Sequence, residues 1–311
     1  MARAYVCPGQ GAQAIGMGKA LADEFSEARA VFEEVDDALG ENFSALIWEG
    51  DIETLTLTAN AQPALMATSL AAYKALESRG FGLSTEDYVA GHSLGEYSAL
   101  AMAEALSIAD AARLLRARGQ AMQEAVPVGV GAMAALLGLD FETVQGVAQR
   151  AAGDEVCAAA NDNDPAQVVV SGHKAAVERA IELAKDAGAK RAVLLPVSAP
   201  FHCSLMAPAA DVMREKLASV EIKKPQVPVI ANVRAEPVDD PEIIRSLLIE
   251  QVTGSVRWRE SVIWMSENNV SDVWEVGAGK ALIGMVRRID RALSCANFAT
   301  PADIEKLESN T

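Results

Sequence analysis

The pentapeptide Gly91-His92-Ser93-Leu94-Gly95 lies between a segment with the composition of a short strand, Asp87–Gly91, and one that reads as helix, Leu94–Leu106. No other feature of the chain constrains its fold as strongly. Glycine on both sides lets the backbone turn sharply from strand to helix with a serine hydroxyl exposed at the bend, the geometry of a nucleophile elbow. Free N–H groups at the start of the following helix face the position where an attacked carbonyl develops negative charge.

The rest of the chain keeps the rhythm that such a junction requires, strands alternating with helices, which implies a parallel sheet covered on both faces. Predicted strands at Arg3–Cys7, Val227–Asn232 and Val270–Val276 alternate with helices at Gly18–Leu39, Gln62–Arg79, Ser107–Ala125, Met206–Val220, Pro241–Gln251 and Val256–Asn268. Pro63 in the first turn and Gly80 past the end mark the limits of the second helix. After Val126 the order becomes β-α-β-β-α-β, with strands at Ala132–Leu139, Val156–Ala160, Gln167–Ser171 and Arg191–Val197. A tight polar turn, Asn161-Asp162-Asn163-Asp164-Pro165, separates the middle two. This is a ferredoxin-like pattern. The expected fold is α/β: a large α/β-hydrolase-like subdomain with a parallel sheet, residues 1–126 and 199–311, carrying a small inserted ferredoxin-like subdomain at 127–198. Only the last few residues are expected to fray.

A net charge of −16 disfavours nucleic acid and anionic membranes as partners. The first dozen residues lack the apolar core of a signal peptide, and the longest weakly polar run, Val128–Leu139, is too short to span a bilayer. Cys7, Cys157, Cys203 and Cys295 show neither metal spacing nor a disulfide framework. These features predict a soluble cytoplasmic protein without a metal.

A serine nucleophile needs a base, and the chain has three histidines. His92 adjoins Ser93 and is expected to point away from it as a packing or hydrogen-bonding group. His173 opens a polar helix of the small subdomain and is expected at the solvated surface. His202 lies in the irregular loop Ser198-Ala199-Pro200-Phe201-His202-Cys203, where the small subdomain rejoins the large one, and is the predicted base. Cys203 has no elbow of its own and reads as a spectator thiol. No acid stands at a strand end of the large subdomain between Ser93 and His202, so something other than a carboxylate is expected to orient the imidazole.

On the helix Ser107–Ala125 the apolar stripe runs through Ile108, Ala111, Leu115, Met122 and Ala125, and Arg118 falls within it. An inward arginine needs an anion. Either an internal Asp or Glu supplies it, or the guanidinium fork awaits a substrate carboxylate. The loop Gly9-Gln10-Gly11-Ala12-Gln13-Ala14 resembles a nucleotide-binding loop but lacks the second strand ending in an acid, and fails the P-loop pattern. It is expected beside the elbow, giving one backbone N–H to an oxyanion hole.

With these residues in place the chain resembles the malonyl-CoA:acyl-carrier-protein transacylase family of type II fatty acid synthesis along nearly its whole length. The resemblance rests on Pro8-Gly9-Gln10-Gly11-Ala12-Gln13, on the elbow extended through Glu96-Tyr97-Ser98-Ala99-Leu100, on Arg118-Gly119 with Met122-Gln123-Glu124-Ala125, and on Gly131-Ala132-Met133-Ala134-Ala135. Gly172-His173-Lys174, Pro200-Phe201-His202, Gln251 and Glu275-Val276-Gly277-Ala278-Gly279-Lys280 complete it. The family's usual Gly-Pro-Gly-Lys stands here as Gly277-Ala278-Gly279-Lys280. The resemblance implies that Ser93 carries a malonyl group, that His202 is its base, oriented by the backbone carbonyl of Gln251, and that the N–H groups of Gln10 and Leu94 form the oxyanion hole. It further implies that Arg118 pairs with the malonyl carboxylate, that Asn161 or Asn163 lines the cleft, and that Phe201 disfavours a methyl branch. The implied reaction is ping-pong, from malonyl-CoA to the phosphopantetheine thiol of acyl carrier protein, by a monomer with no cofactor of its own. Lys190, Arg191 and Arg287 are expected to receive the acidic carrier. A serine hydrolase or thioesterase and a non-catalytic acyl-thioester-binding scaffold are the alternatives.

Overall fold

The computed structural model describes residues 2–197 and 199–309. Ser198, which closes the predicted insertion, and the terminal Asn310 and Thr311 expected to fray lie outside the described residues. Ten strands form two sheets: β1 (Ala2–Cys7), β2 (Tyr88–Gly91), β3 (Gly131–Leu137), β4 (Cys157–Asp164), β5 (Gln167–His173), β6 (Arg191–Leu194), β7 (Val229–Ile230), β8 (Pro237–Val238), β9 (Val270–Val276) and β10 (Ser294–Phe298).

The larger sheet has the order β10-β9-β1-β2-β7-β8, and only its last pair is antiparallel. Its central strand β1 is buried from Ala4 to Cys7, as a parallel strand covered on both faces should be. Across one face lies the helix Thr58–Ser78, buried on nearly every side. The smaller sheet is antiparallel with the order β4-β5-β3-β6, a ferredoxin-like arrangement. Helices Phe141–Ala152 and Lys174–Asp186 supply its own apolar core through Val144, Val147, Ala176 and Val177.

Local expectations change at several points. The strands expected over Arg191–Val197 and Val227–Asn232 are shorter, at Arg191–Leu194 and Val229–Ile230. The helix expected from Gly18 is two, Lys19–Glu24 and Ser26–Leu39, separated by Phe25 in extended backbone. The helix expected from Gln62 starts at Thr58, so Pro63 lies inside it rather than in its first turn. The elbow helix stops at Met102, before Leu106. The largest change is at Asn161–Asp164, which is not a turn: these residues complete β4, and all four are buried. Their polarity is met by tertiary partners. Asp162 pairs with Arg259 and Asp164 with Arg288, while the Asp162 N–H donates to the Val256 carbonyl at 2.9 Å. An isolated parallel bridge between Asn161 and Val256 thereby joins β4 of the smaller sheet to the chain just before the helix Trp258–Glu267.

The helix carrying Arg118, Ile108–Glu124, packs on the first turn of Thr58–Ser78 at Gly119. A Cβ there would stand 2.5 Å from the Thr58 carbonyl oxygen and 2.6 Å from Ala59 Cα. Gly119→Ala is therefore expected to lower unfolding free energy by about 1–3 kcal/mol through overpacking. Urea denaturation checks this, and an unshifted midpoint contradicts it.

Candidate active site

Ser93 occupies the tip of the turn between β2 and the helix Gly95–Met102. Its φ is 53°, a left-handed conformation that a side-chain-bearing residue adopts only under external support. That support is visible. Gly95 packs so closely on the end of β1 that a Cβ would lie 2.2 Å from the Cys7 carbonyl oxygen. The His92 N–H donates to that same carbonyl at 3.0 Å. Asn232, after β7, clasps the turn with its side chain: Oδ1 accepts from the Ser93 N–H at 2.8 Å and Nδ2 donates to the Gly91 carbonyl at 2.6 Å.

His202 Nε2 lies 2.8 Å from Ser93 Oγ. Its Nδ1 lies 2.9 Å from the Gln251 carbonyl oxygen and 3.1 Å from that of Gly254. A carbonyl only accepts, so Nδ1 carries the proton, Nε2 is bare, and Ser93 Oγ–H donates to it. His202 is buried and itself left-handed at φ 58°. Burial first, then the charge of nearby Arg118, holds its pKa far below the ordinary imidazole value, at about 3.

Arg118 is 1% exposed, and among the described residues no carboxylate pairs with it. Its Nη1 donates to Gln62 Oε1 at 2.8 Å, and Nη2 to Gln251 Oε1 at 2.9 Å and Ser93 Oγ at 3.1 Å. Nε is buried without a partner, and the guanidinium lies 5.7 Å from the centre of the Tyr97 ring. Of the two anion sources open at the sequence level, an internal ion pair is therefore absent among the described residues.

A cavity of about 370 Å³ lies over these groups. Ser93, His202 and Arg118 line it, together with Gln10, Leu94, Phe201 and Asn161, and Met133 on β3 and Leu195 after β6 close it from the smaller sheet. Two other concavities, of about 380 and 440 Å³, are bordered by a mixture of charged and apolar residues, and no histidine borders either. The predicted residues thus converge on one space, except two. Gln251 is fully buried behind His202, and Asn163 lies outside the lining, its Oδ1 2.9 Å from His92 Nε2. His92 is half-buried and itself lines the cavity; desolvation lowers its pKa, and its ring packs near Trp258. His173 is only half-exposed, because its Nδ1 accepts the Val156 N–H at 2.9 Å. The Cys203 thiol is buried and points to the Pro200 carbonyl.

Sequence reasoning did not find Gln62, Asn232, Glu96 or the Gln251 side chain. Gln62 left a signal, an amide directly before the apolar run Pro63–Ala67. Asn232 left none, because a polar residue at a strand end is ordinary.

The α/β fold and this serine–histidine–arginine site define the class: an acyltransferase. The chain belongs to the acyl transferase domain family, which it matches over residues 4–291, and within it to the malonyl CoA-acyl carrier protein transacylases. It is 46% identical to the malonyl CoA-acyl carrier protein transacylase of Bacillus subtilis over 303 residues, 97% of this chain and 95% of that one. The crystal structure of acyl-carrier-protein-S-malonyltransferase from Bartonella henselae is similar with a TM-score of 0.96 at 53% identity, covering 100% of this chain and 99% of that one. A malonyl-transacylase solved in complex with a type II PKS acyl-carrier protein is similar with a TM-score of 0.96 at 41% identity, covering 100% of both chains.

The protonation of His202 is open to direct measurement. Because its folded pKa is the depressed one, its contribution to stability is present above about 6.5 and is lost as pH falls toward about 3. Histidine NMR at about pH 5.5, one unit below the ordinary imidazole value, is expected to show His202 neutral. An imidazolium at that pH contradicts the assignment.

Proposed function

We propose that this protein transfers the malonyl group of malonyl-CoA to the phosphopantetheine thiol of acyl carrier protein, through a malonyl-Ser93 intermediate, to supply malonyl carrier protein for fatty acid synthesis. The observation that carries this reading is a buried guanidinium, held by neutral amides, in contact with a serine hydroxyl that also touches a histidine. That arrangement suits an acyl chain ending in a carboxylate.

Ser93 Oγ attacks the thioester carbonyl as His202 Nε2 takes its proton. The backbone N–H groups of Gln10 and Leu94 receive the oxyanion, and the tetrahedral intermediate collapses with loss of the CoA thiolate, which takes the proton from His202. In the second half His202 deprotonates the carrier thiol, the thiolate attacks the malonyl ester, and Ser93 leaves and recovers its proton. The carbonyls of Gln251 and Gly254 hold the imidazole in the required tautomer throughout. A malonyl carboxylate on Arg118 offsets the charge that weakens His202 in the empty site, so the base strengthens when the correct acyl group is bound. Asn161 and Phe201 shape the acyl end of the cavity. The small unit, 127–198, forms the opposite wall, and exposed Lys190, Arg191 and Arg287 receive the acidic carrier. A monomer in the cytoplasm, with no cofactor of its own, is the form we assign; no helix among the described residues is long and apolar enough to cross a membrane.

Ser93→Ala is expected to abolish the covalent malonyl-enzyme, read by intact-protein mass spectrometry after incubation with malonyl-CoA. A full-stoichiometry adduct on the variant would falsify the assignment. Arg118→Ala is expected to lower kcat/KM for malonyl-CoA on the order of 100-fold, as loss of a charge-assisted fork implies, while acetyl-CoA gains relative to it. Unchanged malonyl transfer would remove the carboxylate clamp.

A further inference from the structure

Five carboxyl side chains are buried among the described residues: Asp87, Glu96, Asp162, Asp164 and Glu275. Four have an evident structural use. Asp87 accepts the backbone N–H groups of Arg3 and Ser84. Asp162 and Asp164 hold arginines, and Glu275 accepts the N–H groups of Leu282 and Ile283 at a helix start. Glu96, 2% exposed, has no ion pair among the described residues. Its Oε2 accepts instead from Gln251 Nε2 at 2.8 Å and from the Asn232 N–H at 3.1 Å. Burying a carboxyl group away from a cation is unfavourable, so its position under the elbow calls for a use.

We propose that Glu96 is a positioning residue for the acyl carboxylate: through the Gln251 side chain it holds the Arg118 guanidinium in its binding orientation, and so favours a malonyl over an uncharged acyl group. The inference rests on the reading of Arg118 given above.

The argument turns on what each group can do. A carboxylate only accepts hydrogen bonds, a guanidinium only donates, and a primary amide does both from opposite ends. Gln251 stands between the two. Its Nε2 donates to Glu96 and to the Ser93 carbonyl, the latter at 2.9 Å, and its Oε1 accepts from Arg118. Only one amide orientation satisfies all three contacts. Turned over, the amide would set N–H groups against the guanidinium and an oxygen against the carboxylate. Glu96 therefore selects the orientation in which Arg118 finds an acceptor. The same Oε2 also anchors Asn232, whose side chain clasps the elbow, so one oxygen ties the clamp to the nucleophile.

The charged and titratable groups that interact with Glu96 are Arg118 and Tyr97. Burial, opposed by the bonds from Gln251 and Asn232 and by the Arg118 charge, raises Glu96 to about 7. Its ionised form, the obligate acceptor, thus grows in as pH rises through neutrality, while His202 stays neutral across the same range.

The test is the ratio of kcat/KM for malonyl-CoA to that for acetyl-CoA, measured on wild type, Glu96→Gln, Gln251→Leu and the double variant. Gln251→Leu keeps the backbone carbonyl that orients His202. A ratio taken on a single preparation is independent of how much protein has folded. Glu96→Gln is expected to lower the ratio about tenfold, the scale of one hydrogen bond to a charged group. Added to Gln251→Leu it is expected to change the ratio no further, since Glu96 acts through Gln251. Equal losses on both donors, or effects that add, overturn the inference. A wild type without malonyl preference overturns the Arg118 reading and this inference with it. A wild-type preference that survives Glu96→Gln overturns this inference alone.

Discussion

A cation kept almost wholly out of water, with amide oxygens where a carboxylate would ordinarily stand, is the constraint around which this molecule is arranged. Removing a guanidinium from water costs several kcal/mol even after relaxation, and two glutamine dipoles return only part of it. The helix carrying Arg118 is brought down onto its neighbour at Gly119, where nothing larger than hydrogen fits. Gln62 reaches it from the buried central helix and Gln251 from the helix Pro241–Gln251. Three helices thus meet at one charge. The charge stays uncancelled, which leaves it free to act on an arriving anion.

Ser93 and His202 share a second trait: both sit in left-handed backbone, a conformation worth about 1–3 kcal/mol of strain at each residue. At Ser93 the strain is held by glycine contacts on the Cys7 carbonyl and by the Asn232 side chain. At His202 it is held by two carbonyls on the ring. In each case the fold supplies several contacts to one residue, so the Oγ–Nε2 approach is fixed before any substrate is present.

Much of the site was legible because it obeys local rules. The elbow announces itself by glycine spacing, Arg118 by helix phase, and His202 by elimination among three histidines. The α/β rhythm and the β-α-β-β-α-β insertion follow from periodicity. What failed did so where tertiary partners overrode local chemistry. Asn161–Asp164 has the composition of a turn, yet Arg259, Arg288, Val256 and His92 satisfy it as buried strand, and none of those partners is near in sequence. Phe25 splits a helix that amphipathic pattern alone would continue. Glu96 and Asn232 stayed hidden because their residue types are normally solvent-exposed, and only the distance from residue 96 to residue 232 closing in the fold gives them meaning.

The group that steadies His202 is main chain, and this has an evolutionary consequence. A carboxylate in that place could be lost by a single codon change, and it would also draw a proton toward the imidazole in the resting protein. The Gln251 carbonyl has neither property: it is neutral, and every amino acid at position 251 supplies it. Residue 251 therefore joins one function that substitution cannot erase to another, through its amide, that substitution can tune. On the roles proposed for Arg118 and Glu96, selection can adjust which acyl groups the site admits at this position while the carbonyl that holds His202 passes unchanged from one variant to the next.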